Sequence, residues 1–232
     1  MNRTSCVAGL LLFASGPGLA QHPMVLQKLE QLNAAAPPPA TAAMAAAIEA
    51  AGKPPVAPGA TCASNGYTLA APQPATGDRM VLQGVLGGQL RNGWTVLAEP
   101  KGCPGAAPQR FLLLQLADGS LRALLVNTGR SNASPSTMRD TSMSAALVAL
   151  TKAKAVQPGC EGKDMDLLST RVSHESPDLG NEVYGVRYTG SWTEVWRFRT
   201  CGKSFDVPVD FRPDGDGGAY TNVKAHEVVA VH

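Results

Sequence analysis

Two pairs of cysteines with identical spacing constrain the fold of this chain more than any other feature. Cys62 and Cys103 are 41 residues apart, as are Cys160 and Cys201, and a shift of 98 positions superposes the two pairs. The same shift aligns four further pairs: Trp94 with Trp192, Thr95 with Thr193, Gly87 with Gly185 and Val85 with Val183. Because the chain has only three tryptophans, this agreement favours an internal duplication over a coincidence between two ordinary antiparallel sheets.

The duplication also selects among the possible disulfides. Four cysteines permit three pairings, and two copies of one module would each close their own bridge, Cys62–Cys103 and Cys160–Cys201. Closing a loop of about forty residues contributes ~3–4 kcal/mol on the chain-entropy model. The sequence contains no Cys-x-x-Cys pair that would indicate a zinc or redox centre.

The first twenty residues have the layout of a secretory signal peptide. A basic start at Arg3 precedes the apolar run CVAGLLLF, and small residues lead to Ala20. We therefore expect residues 1–20 to be removed and the mature protein to be periplasmic or secreted, where its cysteines can oxidise. No later stretch reaches the ~18 apolar residues of a membrane helix. The mature chain has 19 basic and 18 acidic residues, a balance that argues against a nucleic-acid partner.

The repeat predicts the domain organisation. Residues 21–40 are expected to form an N-terminal helix and a Pro/Ala-rich linker, 41–127 a first repeat, 128–140 a Ser/Asn-rich linker, and 141–232 a second repeat. The predicted fold is α+β, with each repeat a helix packed on an antiparallel β-sheet and stapled by one disulfide. We expect the helices to start at Thr41 and at Asp140-Thr141, and the final hairpins to turn at Asp118-Gly119 and Asp214-Gly215.

The stretch GSWTEVWRFRTCGKSF, from Gly190 to Phe205, has the alternation of a strand. Together with the preceding EVYGVRYT it predicts a hairpin that turns at Thr189–Ser191. Side chains alternate between the two faces of a strand. One row, expected to pack beneath the helix of the second repeat, therefore contains Trp192, Glu194, Trp196 and Phe198.

An aromatic excess in the second repeat suggests a binding surface. Trp196, Tyr184 and Tyr188 align with Ala98, Leu86 and Leu90 of the first repeat. Exposed Trp, Tyr and Arg often dominate recognition surfaces. The candidate ligand-binding residues are Trp196, Tyr184, Tyr188, Arg187, Arg197 and Arg199. The alternative is a core that was repacked after duplication, with tryptophan as its anchor.

The search for catalytic and metal-binding motifs returns no assembled set. The sequence has no G-x-S-x-G nucleophile elbow, and Gly202-Lys203-Ser204 indicates a turn rather than a phosphate loop. Neither His174-Glu175 nor His226-Glu227 continues as H-E-x-x-H. The run Asp214–Gly218 resembles a calcium loop but has Ala225 where a glutamate ligand is needed. We therefore predict no catalytic residue, metal or cofactor.

One segment resembles uncharacterised exported proteins of proteobacteria. The pattern G-x-W-x-E-x-W, then Cys-Gly, then Pro-Asp-Gly and Gly-Gly appears here at Gly190, Trp192, Glu194, Trp196, Cys201-Gly202, Pro213–Gly215 and Gly217-Gly218. The resemblance covers about thirty residues and implies export and a β-rich fold. The tandem arrangement also resembles, in organisation only, secreted bacterial inhibitors such as the β-lactamase inhibitory protein.

These observations favour a non-catalytic binding or inhibitory protein of the bacterial periplasm or exterior, whose ligand is a protein or an envelope component. One alternative is a periplasmic hydrolase whose site forms at the seam between the repeats, with His174 beside Glu175 or Asp178. Another is a structural envelope component, which buried Trp196, Tyr184 and Tyr188 would favour.

Overall fold

The computed structural model describes residues 23–51 and 65–231, which form an α+β fold with two antiparallel sheets. The helices are α1 (Pro23–Ala35), α2 (Thr41–Ala50), α3 (Arg79–Leu86) and α4 (Pro135–Val156). The strands are β1 (Tyr67–Leu69), β2 (Gln73–Pro74), β3 (Leu90–Pro100), β4 (Gln109–Leu116), β5 (Leu121–Thr128), β6 (Asp166–Glu175), β7 (Trp192–Thr200), β8 (Lys203–Pro213), β9 (Ala219–Val223) and β10 (Val229–Val231).

The first sheet has the order β1-β3-β4-β5, with β2 also paired to β3. Helix α2 covers one face, where Met44 and Ile48 pack against Trp94, Val96 and Phe111. Helix α3 covers part of the opposite face around Leu112 and Leu114. The predicted N-terminal helix is present as α1, which buries Leu29.

The second sheet has the order β10-β8-β7-β6, with β9 paired to β8. Helix α4 lies on it through Ala145, Ala149 and Ala153, which recur every four residues and leave room for large side chains of the sheet. Strand β7 alternates strictly between buried and half-exposed residues. The predicted row of Trp192, Glu194, Trp196 and Phe198 therefore does face the core.

Both Asp-Gly hairpins are present. The Asp118 carboxylate accepts a bond from the Ser120 amide at 2.8 Å between β4 and β5, and Asp214 accepts from the Asp216 amide at 2.9 Å between β8 and β9. Cys201 and Gly202 form the two-residue turn between β7 and β8, with φ of 51° and 71°. The predicted turn at Gly202-Lys203-Ser204 is thus present at Gly202, whereas Lys203 and Ser204 begin β8.

The predicted start of α4 is wrong by about one and a half turns. The helix starts at Pro135 rather than at Asp140-Thr141, because the Ser134 hydroxyl caps the Thr137 amide at 3.3 Å and a proline suits the first helical position. Residues 135–140 are therefore helical rather than part of a linker.

The predicted hairpin at Thr189–Ser191 is also wrong. Strand β7 pairs with β6 on that side, while residues 176–191 form a loop. The Gly77 amide donates to the carbonyl of Tyr184 at 2.8 Å, so this loop docks against the segment that follows β2. A contact between distant parts of the chain thus replaces the local strand pairing.

Cys160 and Cys201 form the predicted disulfide. Cys103 is also disulfide-bonded, but Cys62, its predicted partner, lies outside the described residues, as does the predicted signal peptide. Within the described ranges, no helix combines the length and apolar character needed to cross a membrane.

Candidate functional site

The two sheets meet along the edges of β5 and β6. An isolated parallel bridge joins Gly129 to Thr170, and the Arg130 amide donates to the Thr170 carbonyl at 3.0 Å. The side-chain nitrogen of Asn127 donates to the Thr170 hydroxyl oxygen at 2.9 Å. This junction, the seam, lies beneath an open groove of about 1160 Å³.

The seam groove is built from both sheets. Its walls are β3 around residues 95–97, the β1–β2 connection around residues 70–73, and β6 from residue 169 to 175. Its floor includes Arg110, Gly129 and Arg130, and residues 131–132 line its rim. Because the two sheets contribute different walls, the groove exists only when both are in place.

Arg110 is the buried cation of this floor, with 8% of its surface exposed. Its Nε donates to Asn127 Oδ1 at 2.8 Å, and its Nη2 to the Ala133 carbonyl at 2.8 Å. Burial lowers the pKa of Arg110, while Glu194, Glu182 and Asp78 act in the opposite direction. Desolvation of this guanidinium therefore has a free-energy cost that the surroundings offset in part.

Glu194 is the buried anion behind the floor, and it is fully inaccessible to solvent. Its Oε1 accepts bonds at 2.8 Å from the Ser131 hydroxyl, the Asn132 amide and the Trp192 indole N–H. Its Oε2 accepts from the Trp196 indole N–H at 2.8 Å. The spacing W-x-E-x-W places all three side chains on one face, so one carboxylate satisfies both indoles.

Residues 131–133 lie between these two charges. Their carbonyls, at Ser131 and Ala133, face Arg110, and their amides, at Asn132 and Ala133, face Glu194. A backbone held by ionised groups on both sides has its polar atoms satisfied without water. The segment that the sequence presents as a Ser/Asn-rich linker is thus the fixed rim of the groove.

The rim continues through Asn132 to the loop after β6. The side-chain nitrogen of Asn132 donates to Glu175 Oε1 at 2.6 Å, and its side-chain oxygen accepts from Arg187 Nη2 at 3.1 Å. Arg187 Nη1 also donates to the Gly180 carbonyl. Arg187 therefore orients Asn132 and the loop.

His174 lies in the groove on strand β6. It is exposed, and no hydrogen bond joins it to a hydroxyl or carboxylate within the described part of the chain. Its neighbours are engaged elsewhere, since the Ser173 hydroxyl donates to the Thr193 carbonyl at 3.1 Å and Glu175 accepts from Asn132. Asp178 is exposed and does not line the groove.

The six candidate binding residues do not form one surface. Trp196 is completely buried between β7 and α4, where a ligand would reach it only if the helix moved. Arg197 and Arg199 lie on the opposite face of β7, where Arg197 pairs with both oxygens of Asp206 at 2.7 and 2.9 Å and Arg199 pairs with Asp166 at 2.7 Å. Trp196 is therefore separated from Arg197 and Arg199 by the thickness of the second sheet.

The other three candidates belong to the loop of residues 176–191. Tyr184 and Tyr188 are half-buried, and burial together with Asp216 raises the pKa of Tyr188. Tyr184 has φ of 50°, and its backbone carbonyl accepts from the amide of Gly77, in the segment that follows β2. The Arg187 side chain adds its bond to Asn132, so the loop joins the two halves of the molecule through these contacts.

Sequence reasoning did not identify the residues that build the groove, above all Arg110, Asn127, Asn132 and Glu194. One signal was present: a glutamate alternating with two tryptophans on a core-facing row must be hydrogen-bonded when buried. No comparable signal marks Arg110 in the sequence, because it lies in the strand-like run QRFLLLQL.

No three His, Cys, Asp or Glu side chains converge on a possible metal position among residues 23–51 and 65–231. No family model, no curated protein and no solved structure matches the chain. The site must therefore be interpreted from its own geometry.

Proposed function

We propose that the chain is an exported, non-catalytic binding or inhibitory protein of the bacterial periplasm or exterior, and that its ligand docks in the seam groove. The observation that carries this proposal is the fixed rim at residues 131–133, held by Arg110 on one side and Glu194 on the other. A concave site whose backbone is already ordered binds its ligand without the entropic cost of ordering that backbone.

Two features support the other parts of the proposal. The Cys160–Cys201 disulfide is typical of oxidising compartments, which supports export. Among the residues that the structure describes, His174 has neither a hydrogen-bonded nucleophile nor a hydrogen-bonded carboxylate, and this supports binding over hydrolysis.

We also propose that the fold arose by tandem duplication of a module with one disulfide. The series α2-β1-β3-β4-β5 and α4-β6-β7-β8-β9 have the same order, and each sheet is an antiparallel meander beneath its helix. Trp94 and Trp192 occupy corresponding central strands and both face the helix. Cys62 paired with Cys103 would complete the symmetry.

Capture of partners from periplasmic extract and culture supernatant tests the function. Leu97→Glu introduces a carboxylate opposite Arg110 on the groove wall, while Leu86→Glu makes the same change on α3, outside the groove. We expect wild type and Leu86→Glu to retain the same partner and Leu97→Glu to lose it. Identical partners for all three proteins would exclude the groove as the binding site.

The hydrolase alternative is tested in parallel with His174→Ala. We expect this variant to capture the partner as wild type does, and purified wild-type protein to leave that partner uncleaved. Cleavage that disappears in His174→Ala would establish the hydrolase instead.

A further inference from the structure

We propose that the seam groove binds an acidic segment of a partner polypeptide in an extended conformation along β6. This inference rests on the proposed function and adds the chemistry of the ligand. It derives from the charges of the groove and from the edge of β6 beyond Thr170, which no strand pairs among the described residues.

Three arginines contribute to the groove: Arg110 on the floor, Arg130 beside it and Arg171 on the β6 wall. Arg171 lies 3.9 Å from Asp206, whereas Arg110 and Arg130 form no ion pair within the described residues. The acidic side chains of the lining are Glu175, which is bonded to Asn132, and Glu182 at the rim. The lining thus has three arginines against two glutamates, a surplus of one positive charge for an anionic ligand.

Arg110 is suited to anchor a carboxylate. A guanidinium has five N–H donors, and three of them bind Asn127 Oδ1 and the carbonyls of Ser131 and Ala133. These bonds fix the plane of the side chain, which lines the groove, and they leave two of its five N–H groups without a hydrogen bond among the described residues. Since burial disfavours the charge of Arg110, an incoming carboxylate would offset part of that cost.

The edge of β6 favours a polypeptide over another anion. Strand β6 ends its sheet, and its only bridge on the outer side within the described residues is Gly129 with Thr170. Beyond Thr170, residues 171–175 line the groove, and no strand among the described residues pairs with the backbone N–H and C=O groups on their outer edge. An added strand uses these groups and directs every second side chain to one face, whereas a phosphate polymer uses the arginines alone.

Fluorescence anisotropy with two labelled peptides tests the proposal on the purified protein. The first is a ten-residue alternating Glu-Thr peptide, and the second has glutamine in place of each glutamate. We expect the Glu-Thr peptide to bind at least tenfold more tightly than the Gln-Thr peptide, and its affinity to fall with added salt. The double variant Arg130→Gln/Arg171→Gln should lose at least tenfold.

The matched control is Arg139→Gln/Arg212→Gln, which removes two exposed arginines outside the groove and should bind as wild type does. Hydrogen exchange should show added protection of amides in residues 171–175 when the Glu-Thr peptide is bound. Equal binding of both peptides, equal loss in both double variants, or unchanged exchange in β6 would overturn the proposal.

A third arm uses inorganic polyphosphate in place of the peptides. Groove-dependent binding of polyphosphate without binding of the Glu-Thr peptide would assign a phosphate polymer and overturn the polypeptide ligand.

If Leu97→Glu loses its captured partner while the Glu-Thr peptide fails to bind, the ligand class is wrong and the groove remains the site. If neither assay depends on the groove, both proposals fail.

Discussion

At the scale of single residues, Glu194 shows why a charged group lies in this core. Two indole N–H groups and the amides of the rim require acceptors after burial, and one carboxylate serves them all. Replacing it with an apolar residue would leave these donors unsatisfied, each at a cost of about 1–3 kcal/mol. The glutamate is therefore required by its neighbours, although an ion in a core is not stabilising by itself.

We predict that Glu194→Gln lowers the free energy of unfolding by about 2–4 kcal/mol. An amide has one acceptor oxygen, so its nitrogen must face either the Trp196 indole or the donors at Oε1. Urea denaturation followed by tryptophan fluorescence measures the loss. Glu99→Gln, an exposed position on β3, is the control and should change stability by less than about 0.5 kcal/mol. A Glu194→Gln protein as stable as this control would show that the network does not depend on the ion.

At the scale of elements, Asp78 joins two helices that are far apart in sequence. Its Oδ1 accepts from the Met80 amide at 3.0 Å at the start of α3 and from the Ser136 hydroxyl at 2.8 Å. Its Oδ2 accepts from the Ser136 amide at 2.8 Å, in the first turn of α4. One buried carboxylate thus satisfies donors at both helix starts, where negative charge is favoured.

We predict that Asp78→Ala costs about 2–4 kcal/mol, since a single cap is worth about 1 kcal/mol and here two helix starts lose theirs in a buried site. Asp78→Asn should cost less, because its oxygen can still cap α3, although its nitrogen cannot accept a hydrogen bond from the Ser136 amide. Asp118→Ala, at an exposed hairpin turn, provides the control. Thermal unfolding of the three variants should rank Asp78→Ala lowest, and a shared midpoint would contradict the double cap.

The elements that sequence predicted correctly depend on local chemistry. Asp118-Gly119 and Asp214-Gly215 encode their own turns, and the alternation of Trp192 to Phe198 encodes its own buried face. The errors lie where distant contacts decide. Loop residues near Tyr184 have strand-forming composition but bond to Gly77, a partner more than one hundred positions away in the chain. The start of α4 differs from these errors, because Ser134-Pro135 is a local helix-start signal that the sequence contains.

At the scale of the whole molecule, the candidate site depends on how two sheets are joined. The charge balance, the cysteines and the alternation describe each sheet separately, whereas the groove forms where β5 and β6 meet. Asn127, Gly129 and Asn132 fall in a stretch whose composition is that of a linker. Only the fold shows that this stretch bonds to Thr170 and Glu194, so its role was not accessible from sequence pattern.

The seam itself yields the last prediction, which compares two glycines. Gly129 has φ of +93°, and a Cβ there would lie 2.1 Å from the Thr170 carbonyl oxygen, which is backbone and cannot move aside. Gly88 has φ of +69°, but a Cβ there would meet nothing within 4 Å. Gly88→Ala should therefore cost only the backbone term of about 1–2 kcal/mol.

Gly129→Ala carries a similar backbone term and must also push the two sheets apart. We expect it to destabilise the protein by at least about 2 kcal/mol more than Gly88→Ala in urea denaturation. Hydrogen exchange of the Arg130 amide, which bonds to Thr170, should accelerate in Gly129→Ala alone. The seam groove should then lose its ligand while Gly88→Ala retains it. If the two variants unfold together and bind equally, the close approach of β5 and β6 does not hold the molecule together, and the groove cannot owe its shape to the seam.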